Sequence, residues 1–420
     1  MKMRTVTIAA LMWAALATSA AAEKLTLPEC LKSAAANNQA LKAASYDSRV
    51  AAQNERVAGS GYLPRVDVSG GYTAQLDAQG MSVGGFSAPT QQADYGFFSL
   101  GIEQTLYDFG RTSSRLERAR AASEATRQGY RSQEQEVFLE VVQAFYGILE
   151  NEKFLAAAEE EVRQMAGHLK DAGSKYSQGV VTRNDVLQAE VKLANSKQRR
   201  LDIARRLENG WLLLNHLTGR EGAARATLED RALTLATPAA QGELAARPDV
   251  LAARSNVAAT SAEVTEARSG LRPEFYLRAG ADYTQNRYLN EPVIMAATVG
   301  LRFNLFDGFA SSARLRQAVE SRSRSEEKLR QTEKEALLEY QTAQNDLKVA
   351  LERIGTSETA VGQAEENLRL NRSRYEEQMG TSTEVVDAQT LLTQARSDFF
   401  QASFDARVAQ ARVQKALGVL

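Results

Sequence analysis

The sequence predicts an α+β membrane protein in which an internal tandem duplication supplies four β-strands per chain. Three observations support this prediction. The two halves of the chain align with each other, four long segments alternate polar and apolar residues, and very long helical segments follow them. Four strands cannot close a barrel, whereas three chains supply twelve. We therefore expect a trimeric 12-stranded β-barrel that continues as a long α-helical barrel.

The duplication is visible when the chain is aligned with itself. A shift of 199 residues pairs Tyr176 with Tyr375 and Gly219 with Gly418 without a gap. Further upstream the shift becomes 209, so the first copy carries about ten additional residues. These alignments divide the chain into a signal peptide, a first copy, a linker and a second copy, with the boundaries 1–22, 23–219, 220–246 and 247–420.

The first 22 residues have the three parts of a secretory signal peptide. Lys2 and Arg4 form a basic start, residues 8–17 are apolar, and three alanines precede Glu23. The apolar run is shorter than the roughly 18 residues that a membrane-spanning helix needs. We therefore expect cleavage after Ala22, which leaves 49 basic and 52 acidic residues and a net charge of −3. A net charge so close to zero gives no reason to expect nucleic-acid binding.

Cys30 is the single cysteine, so the chain cannot form an internal disulfide. The residues before it, Leu27 to Glu29, disfavour a lipid anchor, and we expect a packed thiol. Beyond the signal peptide, no stretch approaches 18 consecutive apolar residues. An exported chain of this kind enters a membrane only as β-strands.

Each copy begins with a helix and continues into a long β-hairpin. In the first copy an Ala-rich stretch from Pro28 to Ala58 predicts the helix. Apolar and polar residues then alternate over about 62–107, around a loop rich in Gly and Ser, and again over about 273–306 in the second copy. Strands of about 11 to 15 residues exceed the length typical of soluble proteins and suit a bilayer crossing.

A long helical hairpin follows each β-hairpin. The two are predicted over residues 112–217 and 311–417. In each, a first helix of about 60 residues forms a rod of roughly 90 Å, and a shorter helix returns along it. Rods of this length with polar, Ala-rich faces do not form a compact core and suit a cylinder of helices shared between chains. The sequence predicts no structure for the linker, 220–246.

The unpaired edges of a four-stranded sheet are what require oligomerisation. In lipid each unsatisfied backbone group costs several kcal/mol. The alternative interpretation is a water-soluble coiled-coil protein with a small β-domain. That alternative does not explain why polar and apolar residues alternate along four long strands.

The turns between the long and the returning helices share a pattern. Each starts with a tyrosine, contains a glycine and reaches an acid nine residues after the tyrosine. The residues are Tyr176, Gly179 and Asp185 in one turn, and Tyr375, Gly380 and Glu384 in the other. Glycine and few apolar residues between two helices indicate a tight reversal of the chain. Val180 and Val181 are apolar residues at an exposed turn, and contact with a partner and local helix packing both explain them.

Two acids of the second turn share one helix face. Glu384 and Asp387 lie three residues apart on the returning helix. Three chains would place two rings of three acids at one narrow end, which is a cation-attracting constriction. The alternative is a pair of solvated acids on an ordinary helix.

Taken together, these motifs resemble those of the TolC-like outer-membrane factor family. The resemblance lies in the signal peptide and the duplicated unit, in the strand ends LYDFGR (106–111) and LFDGFA (305–310), and in the turns YSQGVVTRNDVLQA and YEEQMGTSTEVVDAQ. It implies a homotrimer in the cell outer membrane with a helical tunnel through the periplasm. It also implies docking to an inner-membrane pump or exporter ATPase through a periplasmic adaptor (membrane fusion) protein.

The resemblance also implies roles for the turn residues. It places an acidic ring at the periplasmic entrance on Glu384 and Asp387, and an entrance latch on Asp185 and Tyr375. A tyrosine hydroxyl that donates to a carboxylate forms a charge-assisted bond of about 1.5 to 3 kcal/mol. Similar channels carry an Arg latch where this chain has Gly380, and Arg183 or Thr381 could replace it. We assign adaptor contact to Gly179, Val180, Val181 and Gly380.

No catalytic constellation is found in the sequence, and we predict neither enzyme activity nor a cofactor. The two histidines, His168 and His216, are far apart on helices, so a His-rich metal site is not expected. The predicted function is a channel-tunnel that passes drugs and other toxic small molecules out of the cell. The alternatives are the outer-membrane component of type I protein secretion, a stand-alone porin, and a structural periplasmic coiled coil. Substrate identity does not follow from the sequence.

Overall fold

A computed structural model describes residues 24–222, 224–230, 241–288, 290–377 and 379–420. The predicted signal peptide, 1–22, lies outside these residues, as does part of the predicted linker. The helices are α1 (Leu27–Asn37), α2 (Gln39–Gly59), α3 (Arg111–Ser177), α4 (Arg183–Thr218), α5 (Pro248–Ser269), α6 (Ala310–Glu376) and α7 (Ser382–Leu417). The strands are β1 (Lys24–Thr26), β2 (Arg65–Ala74), β3 (Gly80–Val83), β4 (Phe86–Pro89), β5 (Asp94–Tyr107), β6 (Thr227–Glu229), β7 (Glu274–Thr284) and β8 (Val293–Arg302).

Four strands form one antiparallel sheet in the order β2-β5-β7-β8. The two inner strands, β5 and β7, come from different copies of the repeat and pair over ten positions, from Phe97 with Thr284 to Tyr107 with Phe275. The register places apolar side chains such as Leu100 on one face and charged ones such as Glu103 on the other. Among the described strands, β2 and β8 each pair on one side only.

The first hairpin contains a small additional sheet that the sequence pattern did not predict. Strands β3 and β4 pair from Gly80 with Pro89 to Val83 with Phe86. Between them, Gly84 and Gly85 have φ angles of +58° and +89°, in the left-handed region that glycine adopts at little cost. The stretch was predicted as a loop because four-residue strands are too short to show a clear alternation.

The predicted single helix from Pro28 to Ala58 is wrong in one respect, because it is divided at Asn38. This residue has an extended backbone with φ −60° and ψ 128°. Its side-chain oxygen accepts the backbone N–H of Ala40 at 2.9 Å and that of Leu41 at 3.2 Å, which caps α2. Its amide nitrogen donates to the carbonyl of Leu217 at 3.1 Å. The break therefore fastens this part of the chain to the end of α4.

An aspartate begins each long helix directly after the sheet. The Asp108 carboxylate accepts the backbone N–H of Thr112 at 2.7 Å, and the Asp307 carboxylate accepts that of Ser311 at 2.9 Å. Both therefore satisfy free N–H groups in the first turn of a helix. The second β-hairpin was predicted to extend to about residue 306, whereas β8 ends at Arg302.

The helical part has its core along α3. The most buried side chains on this helix are Val141, Val142, Phe145, Tyr146 and Ile148.

Within the predicted linker, β6 pairs in parallel with β1, and a short 3-10 helix covers Gln241–Ala246. The described chain forms two compact units. One consists of Ala44–Arg131 and Ala245–Glu335 and contains the four-stranded sheet, whereas the other contains both turns.

Lys415 on α7 is a half-buried cation that lies between two carboxylates. Its side chain is 14% exposed, and its ammonium lies 2.7 Å from Glu136 and 2.6 Å from Glu339. We expect Lys415→Met to lower the free energy of unfolding by about 1 to 3 kcal/mol, because both carboxylates lose their counter-charge. Thermal melting of the purified protein measures this. Arg412→Met is the control, since Arg412 lies 3.9 Å from Asp346 and both are exposed. An equal loss in both variants would contradict the prediction.

Glu150 on α3 should make stability depend on pH. Burial, aided by the negative charge of Asp405 and opposed by Arg206, raises the pKa of its carboxyl from 4.5 to about 7. Because the pKa is raised in the folded state, the favourable contribution is complete below about 4.5 and is lost as the pH rises through about 7. We therefore expect Glu150→Gln to raise the melting temperature at pH 8 and to change it little at pH 5.

The exposed Glu140 on the same helix provides the control. Glu140→Gln should leave the difference between the melting temperatures at pH 5 and pH 8 as it is in the unmodified protein. A melting temperature for Glu150→Gln that rises equally at both pH values would show that deprotonation of this carboxyl is not the cause.

Candidate functional site

Two tight reversals join the long helices to the returning ones. The first turn, residues 178–182, joins α3 to α4, and the second turn, described at residues 377 and 379–381, joins α6 to α7. Each long helix has 67 residues and each returning helix has 36. The two turns are therefore the ends of two helical hairpins of equal length.

Gly179 ends α3 in a left-handed conformation. Its φ is +75°, its N–H donates to the carbonyl of Tyr176 at 2.9 Å, and the N–H of Val180 donates to that of Lys175 at 2.9 Å. This pair of bonds is a Schellman motif, in which glycine is favoured because it lacks a Cβ. The left-handed backbone that ends α3 therefore explains the glycine predicted at this turn.

Asp185 caps the start of α4. Its carboxylate accepts the backbone N–H of Thr182 at 2.8 Å and the Thr182 hydroxyl at 2.7 Å. This arrangement is a capping box, with an acid three residues after a threonine. The hydrogen bonds from Thr182 hold the pKa of the Asp185 carboxyl below its usual range. The carboxylate is therefore ionised at neutral pH and engaged at the turn.

The second turn has the same kind of helix cap as the first, but its glycine has a different backbone conformation. Glu384 accepts the backbone N–H of Thr381 at 3.0 Å and donates its own N–H to the Thr381 hydroxyl at 3.3 Å. Gly380 does not have a left-handed backbone, and it corresponds to Val181 in the 199-residue alignment. A Cβ at Gly380 would lie 3.1 Å from the Glu384 carboxylate, so the small residue gives this cap its space.

Two lysines connect the first helical hairpin to the second near the turns. The ammonium of Lys175, at the end of α3, donates to the Tyr375 hydroxyl and lies 3.8 Å from the centre of its ring. The ammonium of Lys192 on α4 donates to the Asp387 carboxylate on α7 at 3.1 Å. These contacts span 200 and 195 residues of sequence. They tie both helices of one hairpin to both helices of the other.

The expected bond between Asp185 and Tyr375 is not formed within the described chain. Tyr375 bonds with Lys175 instead, and Asp185 bonds with Thr182. The physical reason is local, because a threonine three residues before an acid satisfies that acid without a distant partner. The latch between Asp185 and Tyr375 stays a prediction for the assembled protein.

The two acids predicted to form a ring differ in their surroundings. Glu384 is exposed and carries only its capping bonds. Asp387 is 67% exposed and forms an ion pair with Lys192. Within one chain, Glu384 is therefore the acid without a cationic partner among the described residues. A ring of these acids stays a prediction.

The apolar residues at the turns also differ in exposure. Val180 is 68% exposed, whereas Val181 is partly buried. Met379 is 65% exposed, and the 199-residue shift aligns it with Val180. The sequence interpretation overlooked Met379, although this alignment could have identified it. Lys175 and Lys192 were overlooked as well, because charged residues on a helix face are usually solvated.

Buried contacts hold each helical hairpin together behind its turn. In the first, the buried Glu161 accepts the Ser196 hydroxyl at 3.1 Å and pairs with Arg199 at 3.2 Å. In the second, an apolar cluster joins α6 to α7. Its buried members are Ala364, Leu368, Ala388, Leu392 and Ala395. Small residues let the two helices approach closely, so the turns are presented on rigid supports.

Among the helices that the structure describes, none is long and apolar enough to cross a membrane. In the same part of the chain, no group of three or more His, Cys, Asp or Glu side chains could hold a metal ion.

Comparison with known proteins gives a consistent family match. The family model described as outer membrane efflux protein matches residues 30–220 and 239–419. The outer membrane efflux protein BepC of Brucella suis biovar 1 is 23% identical over 404 residues, which cover 92% of this chain and 85% of BepC. The outer membrane protein TolC of Escherichia coli K12 is 21% identical over 418 residues, covering 94% of this chain and 82% of TolC.

A secretion protein and a solved structure are similar as well. The alkaline protease secretion protein AprF of Pseudomonas aeruginosa is 23% identical over 338 residues, which cover 77% of this chain and 69% of AprF. The crystal structure of the outer membrane protein VceC from Vibrio cholerae superposes with a TM-score of 0.82 at 19% identity. It covers 93% of this chain and 96% of that one. At this level of identity, the structural similarity establishes the fold.

Proposed function

Since the chain belongs to the outer membrane efflux protein family, we propose that three copies of it form a duct that carries small molecules out of the cell. The protein is an outer-membrane channel-tunnel of an export system, with a helical extension in the periplasm. The family is a family of channels. Drugs and other toxic small molecules are the proposed cargo, and the relative BepC, which is described as an efflux protein, supports export as the function.

The observation that carries the trimer is the pair of sheet edges on β2 and β8. Each has a neighbour on one side only among the described strands. Backbone groups left unpaired in lipid cost several kcal/mol each, so edges of ten residues require partners. Joining β8 of one chain to β2 of the next closes a barrel of twelve strands after three chains.

The two turns form the proposed periplasmic entrance. Glu384 and Asp387 of three chains supply an acidic ring, and the latch residues Asp185 and Tyr375 lie at the same end. A periplasmic adaptor is the proposed partner at this end, and it connects the duct to an inner-membrane pump or exporter ATPase. The contact surface consists of Gly179, Val180, Val181 and Gly380. Met379 adds a third apolar side chain and, after Val180, the second that is exposed.

A second function is favoured by one observation, the similarity to the alkaline protease secretion protein AprF. In this alternative the duct passes an unfolded polypeptide, as the outer-membrane component of type I secretion. Deleting the gene separates the two. We expect the cells to become several-fold more sensitive to amphiphilic drugs, with their set of secreted proteins unchanged. Unchanged sensitivity together with the loss of one secreted protein would instead support the alternative.

Adaptor docking is tested by replacing exposed apolar side chains of the turns with charged ones. Co-purification of an adaptor with the unmodified protein should be lost in the double variant Val180→Glu and Met379→Glu. Val191→Glu, at a valine of α4 that is 60% exposed, provides the matched control and should keep the adaptor. Loss of the adaptor in the control alone, or in none of the variants, would place the docking surface elsewhere.

A further inference from the structure

A basic cavity lies where the four-stranded sheet joins its helices. We call it the junction pocket. It has a volume of about 660 Å³ and is bordered by the start of α3, the end of α5, the ends of β7 and β8, and the first turns of α6. This volume is within the range of cavities that bind small molecules. Helices and strands therefore fix its place in the fold.

Six arginines and three glutamates line the junction pocket, so its charged side chains carry a net charge of +3. The arginines are Arg111, Arg115, Arg118, Arg272, Arg302 and Arg314. Two of the glutamates are already engaged, because Glu274 pairs with Arg111 at 3.1 Å and Glu266 pairs with both Arg115 and Arg118. The acids present therefore do not neutralise the arginines.

Two of the six arginines, Arg272 and Arg314, form no ion pair within 4 Å among the described residues. Arg272 lies with its guanidinium 5.4 Å from the centre of the Phe109 ring, and Arg314 has only a longer-range electrostatic interaction with the Asp307 carboxylate. A third donor is also unused, since the buried Nε of Arg111 has no hydrogen-bond partner in the described structure. A buried donor without a hydrogen bond costs free energy, and a bound anion that accepts from this Nε would offset the cost. One buried oxygen of Glu266 also lacks a hydrogen bond, so the case for an anion rests on the net positive charge of the pocket.

The sheet turns its polar face toward the junction pocket. Glu274 and Arg302 are partners in the register of β7 and β8, and both line the pocket. The same face continues with Arg278, whose guanidinium lies 2.7 Å from Glu103. The interior of a membrane β-barrel is polar and its exterior apolar. The pocket therefore opens on the side of the sheet that faces the lumen and not on the side that faces lipid.

We propose that the junction pocket binds anionic solutes bearing a phosphate or carboxylate group as they pass along the lumen. Arginine suits this role because its planar guanidinium bonds to such groups through two parallel N–H donors. Rings of arginine are also how pores select anions. That the bound anion is cargo rests on the proposed function as a duct, whereas the binding of an anion at this place does not.

The test measures binding of inorganic phosphate to the full-length protein in detergent by calorimetry, at constant ionic strength set with sodium chloride. The variant replaces the two arginines that lack an ion pair, as Arg272→Gln with Arg314→Gln, so that no internal pair is broken. We expect the association constant for phosphate to fall at least about tenfold. The control, Arg353→Gln, removes an exposed arginine of the same helix α6 that also lacks an ion pair, and should change it less than about twofold.

A second arm distinguishes a solute from a lipid headgroup. The protein is placed in nanodiscs of phosphatidylcholine, with or without phosphatidylglycerol, and the phosphate titration is repeated. Equal phosphate binding in both nanodiscs supports the proposal. Absence of phosphate binding, equal binding in all variants, or binding displaced by phosphatidylglycerol would each overturn it. None of these readouts involves transport, so their failure is distinguishable from a failure of the efflux function.

Discussion

Replacing Glu384 by glutamine should weaken block of the channel by a trivalent cation at least about tenfold in planar-bilayer recordings. Three copies of an exposed carboxylate at one narrow end attract such a cation strongly, and each substitution removes one negative charge. Glutamine still accepts the hydrogen bond from Thr381, so the cap of α7 is kept while the charge is removed. The change therefore tests electrostatics and not folding.

The ion pair between Lys192 and Asp387 makes this prediction more specific. Because the ammonium lies 3.1 Å from the carboxylate, it offsets part of the charge of Asp387. Asp387→Asn should therefore weaken the block less than Glu384→Gln, and Lys192→Met should strengthen it. Glu358→Gln, at an exposed acid of α6, is the control and should leave the block unchanged. Block that persists in the double variant of Glu384 and Asp387 would place the cation site elsewhere.

Removing the ammonium of Lys175 should open the entrance and raise single-channel conductance several-fold. Lys175→Met eliminates both contacts with Tyr375, the hydrogen bond to its hydroxyl and the contact with its ring. Tyr375→Phe eliminates the hydrogen bond alone, because a phenyl ring still attracts a cation. We therefore expect conductance to rise in the order unmodified protein, Tyr375→Phe, Lys175→Met.

Asp185 separates this explanation from the latch that the family resemblance implies. Asp185→Asn keeps an acceptor for the backbone of Thr182, so the start of α4 should be preserved. Unchanged conductance in Asp185→Asn would confine the latch to Lys175 and Tyr375. Increased conductance would indicate that Asp185 reaches Tyr375 in the assembled channel. Lys170→Met, on the same helix α3, is a control for the loss of a lysine.

The sequence was sufficient for the architecture because its signals repeat over long distances. Alternation along β5 and β7, the aspartates that begin α3 and α6, and the 199-residue shift all agree with one another. The alternation and the aspartates act on neighbouring residues, and the shift shows that the same local patterns occur twice. The break at Asn38 was missed because asparagine lacks the strong signal of Pro or Gly, and because its second bond, to the carbonyl of Leu217, joins residues far apart in the sequence.

The contacts at the turns could not be predicted, for a related reason. The cap formed by Thr182 and Asp185 is readable from a spacing of three residues. The bond between Lys175 and Tyr375 joins residues 200 positions apart, and a lysine on a charged helix gives no indication of its partner. The same limit applies to the junction pocket, whose arginines come from both copies of the repeat.

The central claim is that neighbouring chains join through β8 and β2 to close a barrel of three copies. Disulfide formation between those strands tests it most directly. In a Cys30→Ala background, Ser69→Cys is combined in turn with Ile294→Cys, Ala296→Cys or Thr298→Cys, all of which share one face of the sheet. After oxidation in outer-membrane vesicles, at least one register should yield covalent dimers and trimers and nothing larger. The absence of linked chains in every register, or a ladder that continues beyond three, would contradict the claim.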